Sequence, residues 1–105
     1  MYARVTLLEI DAVRVSLDDA VELFRHEVLP GLRDQPGYRG VQVLTTPEGK
    51  AALVTFWATE EAADASRDDG WYAEALARYA TLFRSPPGRE TYKVVLSDLA
   101  ASALG

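Results

Sequence analysis

The 105-residue chain has no cysteine, a single histidine and no surplus of positive charge. Each shortage excludes something. Without cysteine there is no disulfide framework, no thiolate chemistry and no cysteine-ligated metal site. One histidine, His26, and scattered carboxylates give no recognisable metal-ligand set. Sixteen acidic against eleven basic residues leave a formal charge of -5, which argues against nucleic acid or an anionic membrane as the main partner. No apolar run approaches the ~18 residues of a membrane span, and "MYARVTLLEI" lacks the basic and long apolar regions of a signal peptide. A soluble, cytoplasmic protein is the expectation. There is also no phosphate loop, G-x-S-x-G elbow, dinucleotide fingerprint, internal repeat or linker. What remains is a hydrophobic fraction of 49%, enough for a real core in one domain spanning 1–105.

Local signals order the elements. "ARVTLLEIDA" (3–12), rich in β-branched and aliphatic residues, predicts a first strand. Ser16 with Asp19 three residues on has capping-box spacing, and Asp18 and Asp19 suit the positive end of a helix. Apolar residues at 17, 21, 24, 28 and 32 continue that helix as a stripe, which Leu29-Pro30-Gly31 is expected to fray. Pro36-Gly37 then forbids resumption of the helix and turns the chain into "YRGVQVLTT" (38–46), a second strand. A Pro-Glu-Gly turn joins it to "KAALVTFWA" (50–58) as an antiparallel hairpin. Thr59 caps a helix over 60–67, Gly70 breaks it, and a longer piece follows over 71–84. Pro86-Pro87-Gly88 ends that piece before a last strand, 89–98. The order β-α-β-β-α-β with right-handed crossovers predicts an α+β, ferredoxin-like sheet of four antiparallel strands with the helices on one face.

The strands are apolar on both faces. Val5 and Leu7 lie opposite Leu8 and Ile10; Val54 and Phe56 lie opposite Leu53 and Trp57; Val94 and Leu96 lie opposite Val95. In the second strand Val41 and Val43 share one face, with Gln42 and Leu44 on the other. Helices cover only one face, and monomers rarely expose an apolar patch beyond a few hundred Å². A second copy packed sheet to sheet, as an isologous homodimer, is the simplest cover.

Candidate chemistry is sparse. At about 100° per residue, His26 lies opposite the apolar stripe, facing water between Glu22 and Glu27. On the second helix Tyr72, Leu76, Tyr79 and Phe83 recur at i, i+4, i+7 and i+11. This is ordinary core spacing, but two tyrosines on a buried stripe need partners for their hydroxyls. With Phe24 and the sheet they would line an apolar cavity with a few polar tips, suited to a flat aromatic molecule. Trp57 lines either that cavity or the seam between copies. Arg4 either holds a substrate anion or pairs with a neighbouring carboxylate.

Two stretches carry a family likeness. In "VLPGLRDQPGYRGVQVL" a helix runs into Pro-Gly-aromatic-x-Gly and a strand; in "LVTFWATEEAADA" a strand ends in Trp before an acidic helix start. With the strand order, the chain resembles the dimeric α/β barrel superfamily, in particular its antibiotic-biosynthesis-monooxygenase-like group. The resemblance implies a homodimer with one cavity per subunit between helices and sheet. It also implies a cofactor-independent monooxygenase acting on an aromatic or polyketide-like small molecule, with Tyr72, Tyr79 and Trp57 as pocket positions. A non-catalytic dimeric small-molecule-binding or stress-related protein is the alternative. A haem-degrading branch uses an Asn on strand one and a Trp and a His on the second helix. Here strand one has no Asn, and Ser66 and Leu76 stand near the other two places, so the likeness does not extend to haem degradation.

Overall fold

The first strand in the sequence lies inside the sheet, with a partner strand on either side. In the computed structural model, which describes residues 1–11, 15–68 and 88–99, β1 (Tyr2–Glu9), β2 (Tyr38–Thr45), β3 (Lys50–Trp57) and β4 (Gly88–Lys93) form one sheet in the order β2-β3-β1-β4. Every neighbouring pair is antiparallel. The helices are α1 (Leu17–Glu27), α2 (Leu29–Arg33) and α3 (Glu60–Asp68). This is the expected α+β, ferredoxin-like arrangement.

Both expected caps form. The Ser16 hydroxyl accepts from the Asp19 amide at 3.1 Å, and the Thr59 hydroxyl accepts from the Ala62 amide at 3.1 Å. Each satisfies one of the amides that a helix start leaves without a carbonyl.

The crossing from α1 to β2 differs from expectation. Leu29-Pro30-Gly31 does not fray the first helix; α1 has already stopped at Glu27, and these residues open α2. Proline is accommodated there because amides in a helix's first turn have no intrahelical carbonyl to lose. The break re-aims the chain so that Val28 and Leu32, 1% and 0% exposed, both enter the core.

The second breaker makes the turn. The Tyr38 amide donates to the Gln35 carbonyl at 3.2 Å, and Gly37 has φ +81°. A Cβ at Gly37 would stand 2.6 Å from the Ala62 Cβ, closer than real Cβ atoms come. Gly37→Ala therefore combines a left-handed backbone with a collision against α3. It should cost about 2–4 kcal/mol, read as a lower urea midpoint with unchanged slope. A loss under ~0.5 kcal/mol would contradict this packing.

The β2–β3 hairpin closes through the Gly49 amide on the Thr46 carbonyl at 3.1 Å. Near its other end Tyr38 lies opposite Trp57 and Gly40 opposite Phe56, leaving Arg39 as the extra residue of a bulge. The last strand is shorter than 89–98: β4 ends at Lys93, opposite Tyr2. Only one further bond, from the Val94 amide to the Met1 carbonyl at 3.0 Å, extends the ladder, and residues 94–99 lie outside any strand. The longer helix expected over 71–84 lies outside the described residues.

Candidate active site

Pairing register sorts the sheet into two faces. Toward the helices, Tyr38, Trp57, Tyr2 and Lys93 form one row. Val41, Thr55, Arg4 and Thr91 form the next. Val28, Leu32, Leu53, Trp57 and Ala63 make the core on this side, with Phe24, Tyr2 and Tyr38 packed against it. On the outer face, Ala3 and Phe56, Val5 and Val54, and Leu7 and Ala52 are opposed. Leu7, Leu44 and Tyr92 are more than half exposed there. The two-faced apolarity read from the strands is therefore present, with Val54 and Phe56 outward and Leu53 and Trp57 inward.

Trp57 is the anchor of the inner face. It is 1% exposed, and its ring meets Tyr38 edge to face, with centroids 6.1 Å apart and planes at 79°. Its indole N–H donates to the Thr55 hydroxyl at 2.9 Å, and that hydroxyl in turn donates to the Arg4 carbonyl at 3.5 Å. Buried indole donors need such an acceptor. Burial raises the pKa of the Tyr38 phenol above its ordinary value, and the Arg33 cation opposes that shift, so the phenol stays protonated at neutral pH.

The sequence pointed to Arg4 without deciding its surroundings. The structure buries it to 2% exposure on the helix side, with Nη1 donating to the Thr91 hydroxyl at 2.9 Å. Thr6 and Thr55 are each 1% exposed. These threonines were not singled out in the sequence, although a signal existed. Thr55 alternates in phase with Leu53 and Trp57, so a polar residue falls at a core position. A cleft of about 440 Å³ opens at the Trp57 end of β3, between the 35–37 turn and the start of α3, lined by Gln35, Pro36 and Gly37, by Thr59 and Ala62, and by Trp57. It was also not foreseen, because the turn and the start of α3 meet only through the tertiary fold.

Of the residues read as pocket positions, Trp57 and Phe24 lie together on the helix side, Phe24 half-buried against the core. Tyr72, Leu76, Tyr79 and Phe83 lie outside the described residues. His26 faces outward on α1 as expected, its Nε2 3.3 Å from a Glu22 carboxylate oxygen and its side chain 73% exposed. Among the described residues no group of three or more His, Cys, Asp or Glu is placed to hold a metal ion, and no helix is long and apolar enough to cross a membrane.

A four-stranded antiparallel sheet in this order, with its helices on one side and a buried aromatic and cationic layer beneath them, defines a ferredoxin-like α+β protein. Within that class, residues 4–78 match the antibiotic biosynthesis monooxygenase family, and the chain belongs to it. No curated protein sequence matches the chain. Solved structures share the fold. The ActVA-Orf6 monooxygenase of Streptomyces coelicolor, in complex with nanaomycin D, superposes with a TM-score of 0.74 at 20% identity over 95% of this chain and 92% of that one. A protein of unknown function from Nitrosomonas europaea gives 0.72 at 23% identity, over 95% and 94%. The haem degrader MhuD of Mycobacterium tuberculosis, with two haems in its active site, gives 0.68 at 21% identity, over 93% and 99%.

Proposed function

We propose that the protein is a monooxygenase of aromatic or polyketide-like small molecules that works as a homodimer and uses neither metal nor flavin. Family membership over residues 4–78 is the observation that carries this reading. The substrate lies on the helix side of the sheet, against Trp57 and Phe24, with Tyr72, Leu76, Tyr79 and Phe83 completing the pocket from the second helical region. An electron-rich phenol or anthrone, once deprotonated, passes an electron to O₂ itself. Converting a ring CH₂ to C=O with one O₂ releases one water, so the four electrons come from the substrate and no other reductant enters. The protein's part is to exclude water, orient the ring and stabilise the substrate oxyanion through hydrogen bonds.

Dimerisation accounts for the other face. Leu7, Leu44, Val54 and Phe56 form a surface that a second copy, related by a two-fold axis, would cover with the same residues. Val95 and Leu96, 87% and 86% exposed just after β4, add to the apolar surface available for that contact. Haem degradation is not part of the proposal: β1 carries Thr6 and no Asn, and residue 66 is Ser.

Oxygen uptake with a panel of anthrones and quinols tests the proposal. Turnover is expected, with Tyr72→Phe or Tyr79→Phe lowering it at least ~10-fold where the lost hydroxyl contacts the reacting oxygen. No uptake across the panel, with ligand binding retained, would overturn catalysis and leave a binding protein.

A further inference from the structure

The cleft at the Trp57 end of β3 plays no part in the chemistry proposed above. Of the described residues assigned to the substrate, Trp57 borders it and Phe24 does not. Its walls are set by backbone contacts. On one side, the Tyr38 amide donates to the Gln35 carbonyl at 3.2 Å and closes the turn, and the Ala58 amide ties the Gly37 carbonyl to the end of β3 at 2.8 Å. On the other, α3 starts at the Thr59 cap and contributes Glu61, Ala62 and Ala65. Turn and helix touch at Gly37, where an added Cβ would stand only 2.6 Å from the Ala62 Cβ. The two walls therefore hold their spacing before any ligand arrives. The volume of about 440 Å³ falls within the ~300–1,000 Å³ of small-molecule sites. One concavity of this size does not supply the about 800 Å² per side that a stable protein partner needs.

The polar groups bordering the cleft select for a donor. The Gln35 amide nitrogen is used on the Gly31 carbonyl at 3.3 Å, which leaves its amide oxygen, an acceptor, as the free end. The Glu61 carboxylate is exposed, and among the described residues no hydrogen bond or ion pair holds it. No lysine, arginine or histidine among the described residues lines the cleft. The amide dipoles at the start of α3 attract an anion. Glu60 and Glu61 already occupy that first turn, however, and the Thr59 hydroxyl has taken the Ala62 amide, so a second negative charge is repelled. From this arrangement we infer that the cleft is a second small-molecule site and that its ligand is a primary amine carried on an apolar body of one or two rings. The ring lies between the turn and α3, against Pro36 and Ala65, and the ammonium donates to the Glu61 carboxylate. Because Glu61 stays in contact with water, the ion pair is modest: it selects amine over neutral and acidic ligands, and the apolar walls supply most of the affinity.

Calorimetric titration at neutral pH and low salt with matched probes, 2-naphthylmethylamine, 2-naphthylmethanol and 2-naphthoate, tests this without requiring turnover. The native protein should bind the amine with a Kd of about 0.1–1 mM, ~3- to 10-fold more tightly than the alcohol, and the carboxylate most weakly. In Glu61→Gln the preference for amine over alcohol should fall below about 1.5-fold, while alcohol binding stays within about 2-fold of native. Ala65→Phe places a ring in the cleft and should weaken amine and alcohol alike by at least ~10-fold. Both positions are exposed, so neither substitution threatens the fold. Equal binding of amine and alcohol by the native protein, or no binding of either, would overturn the inference. So would an amine preference retained in Glu61→Gln, or affinities undiminished in Ala65→Phe, which would place the probes elsewhere. A particle mass altered by Ala65→Phe would make the cleft a contact between copies and overturn the inference as well. Oxygen uptake tests the monooxygenase reading separately, and neither result decides the other.

Discussion

Trp57→Ala should lose about 3–5 kcal/mol of stability, the largest effect expected from any single core truncation among the described residues. The side chain is 1% exposed and lies among Val28, Leu32, Leu53 and Ala63, so its removal leaves a cavity bounded by two helices and the sheet. The edge-to-face contact with Tyr38 is lost as well, and such pairs contribute roughly 0.5–1.5 kcal/mol beyond burial. The Thr55 hydroxyl loses its indole donor. Trp57→Phe separates these terms: it keeps most of the apolar volume and removes the N–H, and should cost about 1–2 kcal/mol. Equilibrium unfolding in urea at one fixed protein concentration reads both, since a domain of this size is stable by only about 5–15 kcal/mol. A loss below ~1 kcal/mol for the alanine variant would mean that Trp57 is not the buried anchor described above.

A single charge on the opposite face should act on assembly far more than on the fold. Val54 sits mid-strand on the outer face, between Val5 of β1 and Gln42 of β2. In one copy it is half-buried on a face open to solvent, so Val54→Asp keeps the carboxylate in reach of water and should cost folding about 1–2 kcal/mol. In the proposed dimer the two-fold axis buries two such carboxylates within one apolar seam, without partners. An unpaired buried charge costs several kcal/mol, so the dimer dissociation constant should rise at least ~100-fold. Light scattering after size exclusion checks it: the native protein is expected at the mass of two copies and Val54→Asp at the mass of one. A variant that remains dimeric at micromolar concentration would place the interface elsewhere. Because Trp57 and Val54 lie on opposite faces of the same strand, the two substitutions also test whether core and interface are separable.

Much of this was legible in local chemistry. Ser16 and Thr59 announced two helix starts, Pro47 through Gly49 a hairpin turn, and alternation in β3 put Leu53 and Trp57 on the face opposite Val54 and Phe56, although which face meets the helices came only from the fold. What local patterns did not show depends on tertiary contact. Strict alternation puts Tyr38 on the face of Gln42 and Leu44; the bulge at Arg39 reverses it and brings Tyr38 onto Trp57, and no residue type announces that extra position. Pro30 read as a terminator, yet it also fits the first turn of a helix, and the core places of Val28 and Leu32 fix the second outcome. The last strand read too long because apolar residues continue through Val94, Val95 and Leu96, whereas the ladder stops where β1 begins. The polar row Thr55–Arg4–Thr91 brings together residues up to 87 positions apart in sequence, which only strand register reveals. Pocket positions in the second helical region rest on periodicity and on the family resemblance, since they lie outside the described residues.

In the proposed function the two faces of one sheet have two tasks, chemistry beneath the helices and pairing on the bare side. Sedimentation velocity on the native protein across the micromolar range tests that division most directly. A species of two copies that persists on dilution to about 1 μM is the predicted result. A stable single-copy particle at every concentration would contradict it.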